Sequence, residues 1–321
     1  MVAVTPAAGF LLRRGAWAAA TLFAALTATF ALVALTPDPN VAAVQFGAAV
    51  GGEDPEKAGS AYRAARNLDD PVVSRFSSFL VGAVTLDLGQ SLTNGEPVLA
   101  ILRERAAVSL GYVVPATVLS VGGGVLVGTA TALRDGSLGG RFAGAAAYLG
   151  LGVPNFWLAA LGAVYLAGPG GIRSTFDPEA PWLATPNLQL FAVATAVVST
   201  TMLAAQLRYV RAEMDGYADA PFVRLVRAKG GDDRRVARHV LRNAALPLVS
   251  LFVTELLATL FVAAVVVETV LGIPGIGAGL LAAIDARDLP VVMGVTLFVV
   301  AVGVAARFTQ DLLRATLDPR G

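Results

Sequence analysis

The chain has 321 residues, of which 56% are hydrophobic and 15% are charged; its mean hydropathy is +0.69. A soluble domain carries about 25% charged residues, so most of this chain belongs in an apolar medium, and disorder is excluded because disordered chains are poor in apolar residues. The absence of cysteine removes disulfide and thiolate chemistry, the single histidine argues against a metal cluster, and the net charge of +1 gives no reason to expect a nucleic-acid partner.

A bilayer core about 30 Å thick is crossed by roughly 20 apolar residues in helix. Taken in chain order, Gly15–Leu35, Ala106–Leu133, Phe142–Ile172, Ala180–Leu207 and Leu289–Ala306 are charge-free runs of 21, 28, 31, 28 and 18 residues. Leu246–Val267 is apolar apart from Glu255 and makes a sixth. The expected fold is therefore an all-α integral membrane protein with six transmembrane helices. Their bounds are about 10–35, 107–133, 142–167, 186–208, 246–270 and 289–313, within a single membrane domain over 1–321. The continuous runs exclude an outer-membrane barrel, whose strands alternate over about 10 residues. The first run follows Arg13 and Arg14 but exceeds the h-region of a signal peptide, so it reads as an uncleaved anchor.

With the N-terminus inside, 16 basic residues fall on the cytoplasmic side and eight outside. The positive-inside rule then places both termini in the cytoplasm. The outer loop covers 36–106. Within it Gly51-Gly52-Glu53-Asp54-Pro55 reads as a turn, Phe76–Leu88 as an interfacial amphipathic piece and Pro97–Arg105 as a short helix leading into span two. Gly122, Gly123, Gly124 and Gly128 in span two, and Gly144, Gly150 and Gly152 in span three, suit close helix packing. Pro154 is expected to kink span three.

The cytoplasmic loop 209–245 has the most specific pattern. Asp219 is the expected N-cap and Pro221 the first helical residue. Phe222, Leu225 and Val226, at i, i+3 and i+4, form an apolar stripe flanked by Arg224 and Arg227. Ala228 and Lys229 end the helix, Gly230 provides a left-handed stop, and Asp232 caps a second helix that passes Pro247 into span five. Two readings fit this loop: a basic topogenic segment against anionic lipid, or a helix that seats in a groove on a soluble partner.

The order of short motifs resembles the inner-membrane permease subunit of ABC importers for dipeptides, oligopeptides and nickel, with an ABC importer type I permease fold. Those motifs are Asp87-Leu88-Gly89-Gln90-Ser91-Leu92, Val153-Pro154-Asn155-Phe156-Trp157-Leu158, Arg227-Ala228-Lys229-Gly230 and Leu241-Arg242-Asn243-Ala244. They continue with Val267-Glu268-Thr269, Pro274-Gly275-Ile276-Gly277, Ala286-Arg287-Asp288-Leu289-Pro290 and Leu317-Asp318-Pro319-Arg320. Two features depart from the family pattern. His239 follows Gly230 by nine residues rather than ten, and Arg224 stands where an acidic residue often opens the cytoplasmic signature.

The resemblance implies a non-enzymatic subunit without cofactor or metal. Its partners would be ABC ATPase subunits, a second homologous permease, an extracytoplasmic solute-binding protein and the lipid bilayer. Phe222, Arg224, Leu225, Val226, Arg227, Ala228, Lys229 and Gly230 would couple to the ATPase. The chain has no Gly-x4-Gly-Lys-Ser/Thr phosphate loop with which to bind ATP itself. Glu255, a carboxylate at span depth, is a candidate for the translocation path or for an inter-subunit contact. Glu268 reads as interfacial at the outer end of span five, and His239 as structural. The competing classes are an ion-gradient-driven transporter, an intramembrane hydrolase and a membrane assembly or anchor protein. The first would need paired acids or inverted repeats, and the second a nucleophile and base at membrane depth.

Overall fold

The computed structural model describes residues 6–132, 138–166, 175–181, 183–217, 220–258 and 264–317. Over these residues the chain is helical: α1 (Pro6–Ala34), α2 (Pro39–Gly51), α3 (Pro55–Ala65), α4 (Val72–Thr85), α5 (Val98–Ala132), α6 (Leu138–Gly152), α7 (Asn155–Leu166), α8 (Thr185–Gly216), α9 (Pro221–Ala228), α10 (Asp233–Ala258), α11 (Ala264–Leu271), α12 (Ile276–Asp285) and α13 (Leu289–Leu317). The only β pairing among them is one antiparallel bridge, Gln90 to Pro97.

Four stretches, beginning at Leu12, Val98, Thr185 and Leu289, are long and apolar enough to cross a membrane. Two bent helix pairs raise the number to six if each pair is one span. The chain is thus a multi-pass helical membrane protein with four to six spans. Its surface agrees with that reading, because Trp17, Leu32, Phe142 and Tyr148 are each at least two-thirds exposed. An aqueous surface of that kind would be a liability.

Local structure corrects several expectations. The residues before span two are not a separate short helix, since α5 runs unbroken for 35 residues from Val98. The expected third span falls on two helices, α6 and α7, meeting at 94° across Val153 and Pro154. Proline has no N–H for the helix ladder and biases the preceding residue away from helix, so a break results rather than a gentle kink. The segment 36–97 holds three helices, α2, α3 and α4. Asp38 and Asp54 cap α2 and α3 by accepting the N–H groups of Asn40 and Glu56, each at 2.9 Å, and each is followed by proline. Gly52, with φ of 78°, ends α2 in the expected turn. The amphipathic piece is α4. The expected fifth span, 246–270, falls on α10, which has Pro247 inside it, and on α11; residues 259–263 lie outside the described residues, and it is α11 and α12 that form a bent pair, at 82°.

Two compact units result, Met1–Arg105 with Gly279–Ala305, and Ala106–Ala278 with Ala306–Gly321. In the first, Leu26 and Phe30 of α1 and Met293 of α13 form a buried core. Phe76, Phe79 and Leu80 of α4 cover it, with the Phe30 and Phe76 rings 4.9 Å apart. In the second, α8 is the central element, burying Leu190, Phe191, Val198 and Met202 against Tyr112, Val113 and Ala116 of α5 and Val267 and Leu271 of α11. Glycines let α5 and α8 approach. A Cβ at Gly124 would collide with Gln206, and one at Gly128 would come within 2.9 Å of Val210. A Cβ at Gly122 or Gly152 would meet no atom of this chain within 4 Å.

Candidate functional site

Residues 220–245 fold as a helix, a reversal and a second helix. Pro221 opens α9 at its first helical position, with Ala220 as N-cap and no side-chain cap bond; Asp219 lies outside the described residues. The reversal is a Schellman motif. Gly230 N–H donates to Arg227 O and Gly231 N–H to Val226 O, both at 2.9 Å, with Gly230 at φ of 73°. Asp232 then accepts the N–H of Arg235 at 3.0 Å and starts α10.

Side-chain placement divides the stripe. Val223, not singled out by spacing, is 1% exposed and sits in a core with Val210 and Met214 of α8 and Val236, Ala237 and Val240 of α10. Phe222 and Val226 pack against that same core, Phe222 with its ring 5.7 Å from Tyr217. Leu225 is 55% exposed, and Arg224, Arg227, Ala228, Lys229 and Gly230 are exposed with it. The helix therefore locks one face into its own chain and presents Arg224, Leu225 and Ala228 outward. His239 is exposed on α10. Glu255 lies in α10, with its side chain outside the described residues.

Glu268 requires the largest correction. It is fully buried, not interfacial. Its Oε1 accepts the hydroxyl protons of Ser109 at 2.6 Å and Tyr112 at 2.8 Å. Its Oε2 accepts the N–H groups of Gly277 at 2.8 Å and Ala278 at 2.9 Å, while Ile276 N–H donates to Ser109 Oγ at 2.9 Å. The first turn of α12 is a row of N–H groups without intrahelical partners. A carboxylate is the acceptor best matched to them and to the positive helix end. The α11–α12 pair bends by 82° at this turn. Gly275 passes so close that a Cβ there would collide with Glu268 Oε1. The sequence signal was available: a carboxylate in an apolar run, nine residues before Gly277.

A second knot joins the Asp87–Leu92 and Ala286–Pro290 motifs. Ser91 Oγ–H donates to Asp288 Oδ2, which also accepts Thr93 N–H at 3.1 Å. Asp288 Oδ1 faces Val291 N–H at 3.4 Å, at the start of α13. Gly89 and Gly95, both at positive φ, turn the chain so that Ser91 N–H meets Glu96 O at 2.8 Å. Arg66, stacked on Tyr62, reaches the carbonyls of Ala286 at 3.0 Å and of Arg287 and Leu92 at 3.3 Å. Among the described residues no group of three or more His, Cys, Asp or Glu could hold a metal ion.

Residues 124–320 match the family described as binding-protein-dependent transport system inner membrane component. The chain is 30% identical over 256 residues to the dipeptide transport system permease protein DppB of Bacillus subtilis, covering 79% of this chain and 80% of the relative. It is also 30% identical over 259 residues to the Lactococcus lactis protein of the same description, at 80% and 82% coverage. A putative peptide transport system permease protein of Brucella abortus is 30% identical over 319 residues, at 97% and 98% coverage.

Proposed function

This chain belongs to the family of binding-protein-dependent transport system inner membrane components, and on that premise we propose that it carries short peptides across the cytoplasmic membrane. It is a non-catalytic permease subunit of an ATP-driven ABC importer, forming part of the translocation path and coupling to an ATPase. The descriptions of the relatives support a di- or oligopeptide as solute, with nickel as the alternative cargo. The proposed arrangement is a single membrane domain with six spans in a type I permease fold and both termini cytoplasmic. A second homologous permease completes the path, an extracytoplasmic binding protein delivers solute, and Glu255 lies along the path.

The observation that carries the coupling assignment is the two-sided character of α9. Val223 is buried in the chain's own core while Leu225, two residues on, stands exposed between Arg224 and Arg227. A helix fixed on one face can pass a push from a partner on the other to α8 and α10. Leu225 is the apolar anchor, supported by Ala228. Arg224, Arg227 and Lys229 steer the encounter more than they add affinity. Phe222, Val226 and Gly230 hold the helix in place.

The test is co-purification with the ATPase and solute-stimulated ATP hydrolysis in the assembled transporter. Leu225→Asp is expected to leave assembly of the two permeases intact and to abolish ATPase attachment. Wild-type attachment and stimulation in Leu225→Asp would remove α9 as the coupling helix.

A further inference from the structure

A cavity of about 300 Å³ opens between α6 and α8. Gly144, Ala147 and Leu151 of α6 and Leu207 of α8 make its apolar floor, Tyr148 flanks it, and Arg208 and Arg211 stand on its rim. The hollow exists because Gly144 and Ala147 put little side-chain volume on this part of α6. A Cβ at Gly144 would find only Arg211 Nη1, at 3.7 Å. Arg211 is drawn across α6, its Nη1 donating to Gly140 O at 3.3 Å and its Nε 4.0 Å from Asp215. Arg208, one turn earlier, is exposed with its guanidinium 5.2 Å from the Tyr209 ring centre. Arg141 precedes Gly144 by three residues on α6, on the same helical face. The rim therefore carries more positive charge than Asp215 offsets.

The rim also lies where the charge-free run Ala180–Leu207 ends, the depth at which an apolar chain gives way to a headgroup. An apolar floor, an arginine rim and this depth together match an amphiphile with an anionic head and a hydrocarbon tail. Basic pockets between membrane helices are suited to such headgroups. A free phosphate would leave the floor uncovered. We propose that the groove between α6 and α8 binds an anionic phospholipid, its phosphate between Arg208 and Arg211 and an acyl chain over Gly144 and Ala147. The same turn of α8 sends Val210 into the core beneath α9 and Arg211 to this rim, so the lipid braces the helix that carries the coupling segment. The inference depends on the chain being a membrane protein, not on its solute or its orientation.

The test uses the assembled transporter, purified through a tag on this chain and placed in nanodiscs of phosphatidylglycerol or phosphatidylcholine with identical acyl chains. Lipid retention is read by native mass spectrometry, which is insensitive to solute identity and to the direction of insertion. The wild type is expected to retain phosphatidylglycerol in preference. Arg208→Gln and Arg211→Gln should each lower that preference about fivefold. Gly144→Leu, which fills the floor, should release the lipid. Arg208→Gln is at an exposed position, so it decides the matter even if Gly144→Leu fails to assemble. Equal retention of both lipids by the wild type, or an unchanged preference in Arg208→Gln, overturns the proposal. Displacement by glycerol 3-phosphate as effective as by the lipid assigns the site to a free phosphate. A crosslink from Tyr148 to a second permease chain assigns it to that interface. Either result also overturns the proposal.

Discussion

Ser109 donates its hydroxyl proton to Glu268 across 2.6 Å, although 159 residues separate them in the chain. The same serine accepts the N–H of Ile276, so one hydroxyl links α5 to the carboxylate and to the helix that the carboxylate caps. Every polar atom of this knot has a partner, which is the condition under which a buried polar group stabilises rather than costs. It fixes the reversal between α11 and α12 in a setting where water is not present to satisfy loose backbone groups.

Replacing Glu268 by glutamine keeps its shape but substitutes an amide donor for one of two oxygens that each accept two hydrogen bonds. A buried donor left unpaired costs about 1–3 kcal/mol. Thermal unfolding in detergent should therefore show Glu268→Gln clearly less stable than wild type. Tyr112→Phe removes a single bond and should cost about 1 kcal/mol. Equal midpoints for all three proteins would mean that the knot bears no stability.

Gly275→Ala places a methyl group against Glu268 Oε1 and Ser109 Oγ. Neither neighbour can retreat without breaking its own bonds, so a low yield of folded, assembled protein is expected. Gly122→Ala, with nothing within 4 Å of its Cβ, should match wild type in the same size-exclusion measurement. The contrast tests close packing rather than glycine content.

At the reversal after α9, Gly231→Ala brings a Cβ to 2.6 Å from Val226 Cγ1 and 2.8 Å from Val226 O. The turn cannot close in that form. Gly230→Ala meets no neighbour, but its left-handed backbone costs about 1–2 kcal/mol for a residue with a Cβ. Solute-stimulated ATP hydrolysis should fall more in Gly231→Ala than in Gly230→Ala, with the two-permease assembly retained in both. The reverse order would show that φ, not close approach, limits this turn.

Ser91→Ala deletes the donor to Asp288 and the acceptor for the N–H groups of Thr93 and Asn94, each at 3.2 Å. The hairpin from Gly89 to Val98 should then open. Limited proteolysis is expected to cut within 92–96 faster than in wild type, with cleavage elsewhere unchanged. Asp288→Ala should give the same pattern and also fray the start of α13. Protection identical to wild type in both variants would dissociate the hairpin from this bond.

The α9 segment shows where local reading succeeded. Pro221 and Gly230 act through their own backbone geometry and Asp232 through a cap bond to Arg235 three residues on, so their roles could be read from residue type and position. The orientation of α9 could not. Phe222, Leu225 and Val226 satisfy a helical stripe, yet Val223 is the residue that α8 and α10 enclose. A helix of about two turns has apolar residues on adjoining faces, and spacing cannot say which face another element covers. Glu268 escaped for a related reason: a carboxylate beside a span end looks interfacial until Ser109 and Tyr112 are brought to it.

Residence in a membrane, helical spans and the chemistry of caps and turns follow from hydropathy and local backbone preference, which depend on residues close together in the chain. The pairing of Glu268 with Ser109 and of Ser91 with Asp288 depends on elements more than 150 residues apart meeting in space, and the enclosure of Val223 on how its neighbouring helices α8 and α10 fold back over it. Those meetings are set by packing and by the demand that buried donors find acceptors, and neither is visible in a single stretch of sequence.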